Sequence, residues 1–266
     1  RIDYSSDTTA AVAKGPLTAV SQSHGGTGNA NFGYVTGGFN AIPGSNNWIS
    51  TVNRLDYTSD TSTTVTKGPL SVGRSTQSTG TTSYGWSLAG NSSNSTPGML
   101  TTVDRIDFSN DTATASVRGP ISTVQGRHST AAASASSNAL SVGLQGVASN
   151  TGVNRVPVGH DFGYGAGGNV FNPYVTSSTV DRIDFSNDTP TASVKGPLSA
   201  GRYKHTAVSS LTHGYLLGGN PSDVGTATDR IDYSNDSATS VIRGSLVEKH
   251  NDSAAAGTTD FGYMVG

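Results

Sequence analysis

Apolar and polar residues alternate along short stretches of this chain, and the stretches repeat. The clearest is Arg105-Ile106-Asp107-Phe108-Ser109-Asn110-Asp111-Thr112. Near-copies begin at Arg1, Arg54, Arg182 and Arg230. Arg and Asp fall on one face and Ile and the aromatic on the other, a period of two that predicts a β-strand. Ser-Asn-Asp then predicts a tight turn, since Asn and Asp tolerate left-handed dihedrals and bond their own backbone. A second alternating run follows, such as 112–117, so the copied unit is a β-hairpin.

The rest of the unit repeats too. A Gly-Pro corner ends each hairpin at Gly15-Pro16, Gly68-Pro69, Gly119-Pro120 and Gly196-Pro197, with Gly244-Ser245 as a variant. Proline cannot donate to a ladder and glycine turns freely, so the strand stops there. A run of Ala, Ser, Thr and Gly comes next, then an aromatic-glycine run such as 32–38, 84–90, 162–168 and 261–266. A variable loop leads to the next Arg-Ile-Asp strand. Each unit therefore predicts four strands: A (small residues), B (aromatic-glycine), C (Arg-Ile-Asp) and D (Thr/Ala). Four antiparallel strands in about 50 residues is the size of one propeller blade. Small side chains suit strand A to the innermost place, where blades converge.

The C-strand arginines stand at 1, 54, 105, 155, 182 and 230, and the interval from 155 to 182 is short. Strands D and A are missing after Val158. The expectation is one all-β domain over 1–266 with five four-stranded blades and an extra B–C hairpin within 139–160; six blades with one reduced is the alternative. Because the chain begins at strand C and ends at strand B, a closed ring would make 1–14 and 251–266 share one blade and cover each other's edges.

Composition narrows the function. Charged residues are 13% and the net charge is -2, with no Lys/Arg block, which argues against nucleic acid as a partner. No apolar run is long enough for a membrane span. Cysteine is absent, so disulfides play no part. The chain opens on Arg1 and shows no signal peptide, and is read as a mature product or a fragment. No cofactor is expected: nucleophile, P-loop and dinucleotide motifs are all missing.

The repeat resembles the kelch family in its glycine pair after a hydrophobic run (Tyr34 to Gly38) and the strand that follows (Val52 to Tyr57). Kelch blades carry an outer-strand Trp, which Thr, Ala and Val replace here, so the likeness is to a divergent, small-residue relative. The wording is similar to tandem repeats of structural and tail-associated proteins of marine phages, particularly those infecting cyanobacteria: Arg182 to Thr189, Lys195 to Ser199, then Phe-Gly-Tyr and a glycine pair. That resemblance implies a non-enzymatic structural or adhesion module of a virion (tail fibre, receptor-binding or decoration protein), outside the cell or on the particle. Its partners would be other virion proteins or a host-surface glycan, with homo-oligomerisation left open. A soluble carbohydrate-binding propeller is the alternative, and a propeller enzyme the weakest reading.

Several patterns invite chemistry. The Arg-x-Asp pairs read best as a cross-blade Arg–Asp ladder. Asp107-x-Ser109-x-Asp111 and its copy at 184–188 start like a calcium loop but lack the glycine and the distal acid, so a hairpin turn is expected and no metal. His24 and His205 stand ten residues before Tyr34 and Tyr215 and read as repeat-equivalent lining of a channel. Trp48, Phe171 and Tyr174 lie in the variable B–C loops. As exposed aromatics beside Asn and Ser they are the candidate ligand contacts, suited to stacking on a sugar.

Overall fold

A computed structural model describes the chain apart from residues 4, 7, 9, 43–44, 93–97, 124–125, 135–160, 171–173, 222 and 259. The expected extra hairpin at 139–160 lies outside the described residues, as does Phe171. The strands follow the copied units. The first comprises β1 (Gly25–Gly28), β2 (Phe32–Thr36), a small hairpin β3 (Phe39–Ile42) and β4 (Ser45–Trp48), then β5 (Val52–Asp56) and β6 (Val65–Lys67). The second holds β7 (Gln77–Gly80), β8 (Tyr84–Asn91), β9 (Met99–Asp107) and β10 (Ser116–Arg118). The third holds β11 (Ala131–Ala133), β12 (Phe162–Ala166), the short pair β13 (Asn169–Val170) and β14 (Val175–Thr176), then β15 (Val180–Asp184) and β16 (Ser193–Lys195). The fourth holds β17 (Thr206–Ser209), β18 (His213–Leu217), β19 (Thr228–Asp232) and β20 (Val241–Arg243), and the chain ends with β21 (Ala254–Gly257) and β22 (Gly262–Val265).

Each of the four complete units is one antiparallel sheet in the order A-B-C-D, for example β1-β2-β5-β6 and β17-β18-β19-β20. The register is the same in each: Tyr34 faces Arg54, Trp86 faces Arg105, Tyr164 faces Arg182 and Tyr215 faces Arg230. The small-residue strands β1, β7, β11, β17 and β21 follow one another along the inside, each packed on the next. This is an all-β, propeller-like arrangement.

The hydrophobic core lies between sheets. One cluster joins Tyr34 and Val52 of the first sheet to Ile106 and Ala115 of the second, with Leu70 from the connecting corner. Equivalent clusters join Trp86 and Val103 to Ile183, and Tyr164 and Val180 to Ile231. The B-strand aromatic of one sheet stacks on the C-strand aromatic of the next: Tyr34 on Phe108 at 4.6 Å, Trp86 on Phe185 at 4.1 Å, Tyr164 on Tyr233 at 4.9 Å. Offset stacking adds about 0.5–1.5 kcal/mol per pair beyond burial.

The Gly-Pro corners show why glycine stands there. The Gly68, Gly119 and Gly196 amides donate to the Asp111, Asp188 and Asp236 carbonyls of the following sheet. A Cβ on Gly68 would lie 1.9 Å from the Ala113 carbonyl oxygen, so no larger residue permits this approach.

Each terminus carries part of a unit. Arg1 and Val12 pair, with the Arg1 amino group on the Val12 carbonyl at 2.6 Å, matching the Arg54–Val65 pairing. This end docks on the first sheet, where Arg1 and Lys14 bind Asp60 at 2.9 and 3.2 Å and the Gly15 amide bonds the Asp60 carbonyl. The β21–β22 hairpin packs on the fourth sheet through β17. Among the described residues no backbone hydrogen bond joins 1–14 to β22.

Candidate binding face

The B–C loops leave every complete sheet from the same point. The residues there have positive φ: Gly37 and Gly38, Ala89 and Gly90, Gly167 and Gly168, Gly218 and Gly219. That left-handed exit suits glycine, which has no Cβ to clash, and it launches each loop in the same sense. A buried arginine holds the root of three of the loops. Arg74 donates from Nε to the Ala89 carbonyl at 2.7 Å and from Nη1 to Asp104 at 2.7 Å. Arg127 pairs with Asp181 and reaches the Thr179 carbonyl at 2.7 Å. Arg202 pairs with Asp229 and reaches the Gly218 and Ala227 carbonyls at 3.1 and 3.0 Å. All six side chains are buried. In the first sheet Asn53 takes the aspartate's place and accepts from Thr18 at 2.7 Å. The sequence carries the signal in the recurring Gly-Arg at 73–74, 126–127 and 201–202 and in the Asp before each Arg-Ile-Asp, but these residues did not stand out beforehand.

The cross-blade Arg–Asp ladder exists, with a different aspartate. Arg54, Arg105 and Arg182 bind Asp111, Asp188 and Asp236 of the next sheet at 2.8, 3.1 and 2.8 Å. Lys67, Arg118 and Lys195 from strand D join at 3.2, 3.5 and 3.3 Å. The same carboxylates accept from the stacked aromatics, Tyr34 at 3.0 Å, Trp86 Nε1 at 2.8 Å and Tyr164 at 3.0 Å. The aspartate two residues after the arginine instead caps the turn. Asp107 accepts from the Ser109 amide and hydroxyl at 2.9 and 2.7 Å, and these bonds, the hydroxyl's foremost, lower its pKa. Both acids of the calcium-like sequence are thereby engaged in structure. Among the described residues no group of three or more His, Asp or Glu could hold a metal.

Of the sequence-designated aromatics within the described residues, Trp48 and Tyr174 do not form one site. Trp48 was expected to be exposed; it is half-buried, because β3 and β4 pair Phe39 with Trp48 and the rings pack at 4.8 Å. Tyr174 lies in the third sheet's loop and is 57% exposed. The buried Asn169 amide donates to its hydroxyl at 2.5 Å, and Tyr203 meets its ring edge-on at 6.3 Å. Burial and then the Tyr203 contact raise the Tyr174 pKa. Trp48 and Tyr174 thus sit on loops of non-adjacent sheets, in separate aromatic pairs.

His24 and His205 directly precede β1 and β17, as repeat-equivalence requires. His205 is buried rather than channel-lining, and neither ring nitrogen has a hydrogen-bond partner of good geometry. Burial, then the Arg202 charge, lowers its pKa to about 3, so it stays neutral. His24 bonds Ser21 at 2.7 Å.

No protein-family model and no curated protein matches this chain. Among solved structures the chain is similar to one described as the structure of YjhT, a kelch-type propeller, with a TM-score of 0.64, 12% identity, and coverage of 89% of this chain and 74% of that chain. At that identity the likeness speaks to the fold alone. Among the described residues no helix is long and apolar enough to cross a membrane.

Proposed function

We propose that this chain is a five-bladed propeller whose two ends share a blade, and that it serves as a non-enzymatic structural or adhesion module of a phage particle. Its B–C loops face a host-surface glycan or a neighbouring virion protein. The carrying observation is the contrast between frame and loops. The roots repeat from sheet to sheet, with positive-φ exits and buried Arg–Asp staples, while the loops they hold differ in sequence. A constant frame with variable loops is a display device. The clasps of the first three sheets and the buried staples are engaged in packing, so the reading assigns them no catalytic step. The virion setting rests on the repeat wording, and many copies per particle would supply avidity.

The alternative is a soluble lectin, favoured by Tyr174, whose open ring is held by Asn169 and Tyr203 as a stacking platform. Both readings are tested by glycan-array and whole-cell binding of the purified protein with Tyr174→Ala. Loss of signal with the cooperative melting transition retained supports display through this loop, and immunogold labelling of particles separates the virion module from the soluble lectin. Absence of binding to glycans, cells and virion proteins alike overturns both.

A further inference from the structure

Besides Ala89, four residues other than glycine hold a left-handed backbone among the described residues. They are Ser23, Ser129, Lys204 and Asp252, with φ of 61°, 53°, 57° and 56°. Each stands two residues before an innermost strand, β1, β11, β17 or β21. The turn belongs to the frame, but its side chains are not dictated by it. Glycine meets the same demand without steric cost, and the loop roots use it almost throughout. Three of the four stand in a row: the Lys204 amide donates to the Ser129 carbonyl at 3.1 Å, and the Asp252 amide to the Lys204 carbonyl at 2.9 Å. Lys204 Nζ and Asp252 form an ion pair at 2.5 Å, with side chains 37% and 59% exposed. An open pair of this kind adds little stability. The frame therefore does not account for a lysine and an aspartate at two neighbouring strained positions, and strain of this sort gathers at working sites.

The row runs into the Tyr174 platform. His128 adjoins Ser129, and its main chain exchanges hydrogen bonds with that of Asn169 at 3.0 and 3.3 Å. Asn169 holds the Tyr174 hydroxyl, and Tyr203, whose ring meets Tyr174 edge-on, is the chain neighbour of Lys204. Three hydrogen-bonded crossings separate Asn169 from Asp252, roughly 14 Å at the usual spacing of paired strands. One end of this strip carries an exposed ring. The other carries an exposed donor beside an exposed acceptor. Between them, burial and then the Lys204 charge lower the His128 pKa, which keeps that imidazole neutral.

We propose that this strip, from Tyr174 to the Lys204–Asp252 pair, is a row of subsites for a neutral oligosaccharide; it rests on the glycan-display reading and extends it to residues outside the variable loops. The Tyr174 ring stacks on the apolar face of one sugar. Further in, Asp252 accepts from one hydroxyl of another sugar while Lys204 donates to its neighbour, so a vicinal diol fits the pair. Charge selects against acidic sugars. The lysine is already answered by Asp252, and a carboxylated or sulfated ring would meet that carboxylate as well. Length selects against single sugars, since the strip is longer than one ring.

Glycan arrays of neutral, carboxylated and sulfated mono- to tetrasaccharides test this on the whole chain. Lys204→Gly and Asp252→Gly suit the left-handed turn, so they delete the side chains and keep the backbone. Asp252→Asn also tolerates that conformation and removes only the charge. Neutral hits of two sugars or more are expected. Tyr174→Ala and both glycine variants should weaken them about tenfold or more, and Asp252→Asn several-fold, with cooperative melting retained. Hits that fall with Tyr174→Ala but persist in all three inner variants leave glycan display standing and overturn the inner subsite. Loss of cooperative melting in all three marks these positions as structural and overturns it too. Hits confined to carboxylated or sulfated sugars, or full binding of single sugars, overturn the ligand class. No hits at all overturn the strip and the glycan reading together.

Discussion

The junction between the second and third sheets and the junction beyond the fourth are built from the same sequence, and only the first is filled. At the filled one, Asp188 takes Trp86, Arg105 and Arg118 together, Phe185 covers the indole, and Ile183 closes the core. At the other, neither Arg230 nor Arg243 has an ion-pair partner among the described residues, and Phe261 is 67% exposed. The sheets are alike, so the difference lies in what the neighbour supplies. Stability here is a property of junctions more than of blades, as expected for repeat architectures.

The largest effect should come from Asp188→Ala. It strands two cations and an indole N–H in a nearly buried site, and should cost about 3 kcal/mol by urea unfolding. Asp60→Ala removes the same acid where Arg1 is 63% exposed, and should cost clearly less than Asp188→Ala. Equal losses would erase the distinction between filled and peripheral junctions. Gly196→Ala comes next: its Cβ would sit 1.9 Å from the Ala238 carbonyl oxygen, and overpacking of this kind costs about 1–3 kcal/mol. Gly244→Ala sharpens the comparison. If the 1–14 hairpin seats beside it, melting falls as for Gly196→Ala; an unchanged melting temperature would leave that junction open. Trp86→Phe keeps the stack on Phe185 and loses the bond to Asp188, for a loss of about 1.5–3 kcal/mol.

Titration gives a smaller signal. Burial is the largest influence on Asp111 and pushes its pKa up, but hydrogen bonds from Lys67 and Tyr34 and the charge of Arg54 together hold it below 3.8. A depressed carboxylate stabilises the fold fully above its unfolded value and loses that contribution as pH falls through the folded one. The junctions should therefore loosen below pH 3.8, and Asp111→Asn should flatten that limb of a melting profile. His205 acts higher. Its pKa falls from 6.5 to about 3, so the unfolded chain binds the proton first and stability declines as pH drops through that interval. His205→Gln should reduce the decline, with the likewise depressed His24, His128 and His213 supplying the remainder. Tyr174→Ala removes the acceptor of the buried Asn169 amide and should cost about 1 kcal/mol, with its main effect in binding.

Much of the frame was legible in the sequence. Strict alternation plus repetition located strands A to D, and the small side chains of 25–28 and 131–133 put strand A innermost. The Gly-Pro corners announced the strand ends. The ladder was legible in kind and misplaced in detail. A strand pattern shows which residues share a face, not which acid of the neighbouring turn reaches across. Hence Asp107 became a cap while Asp111 became the clasp. Trp48 was misjudged because a loop read as irregular forms a paired hairpin, and Phe39 takes its ring. The buried Arg–Asp staples escaped notice because their partners are 27 to 54 residues apart and buried polar pairs leave no periodic trace.

Each unit brings one clasp of two cations on its trailing side and one acid on its leading side. A gene that duplicates or deletes a whole unit in tandem therefore leaves every clasp between successive sheets with an acid and the net charge nearly untouched. Such a chain can change its loop repertoire by recombination between near-identical segments without inventing a new contact.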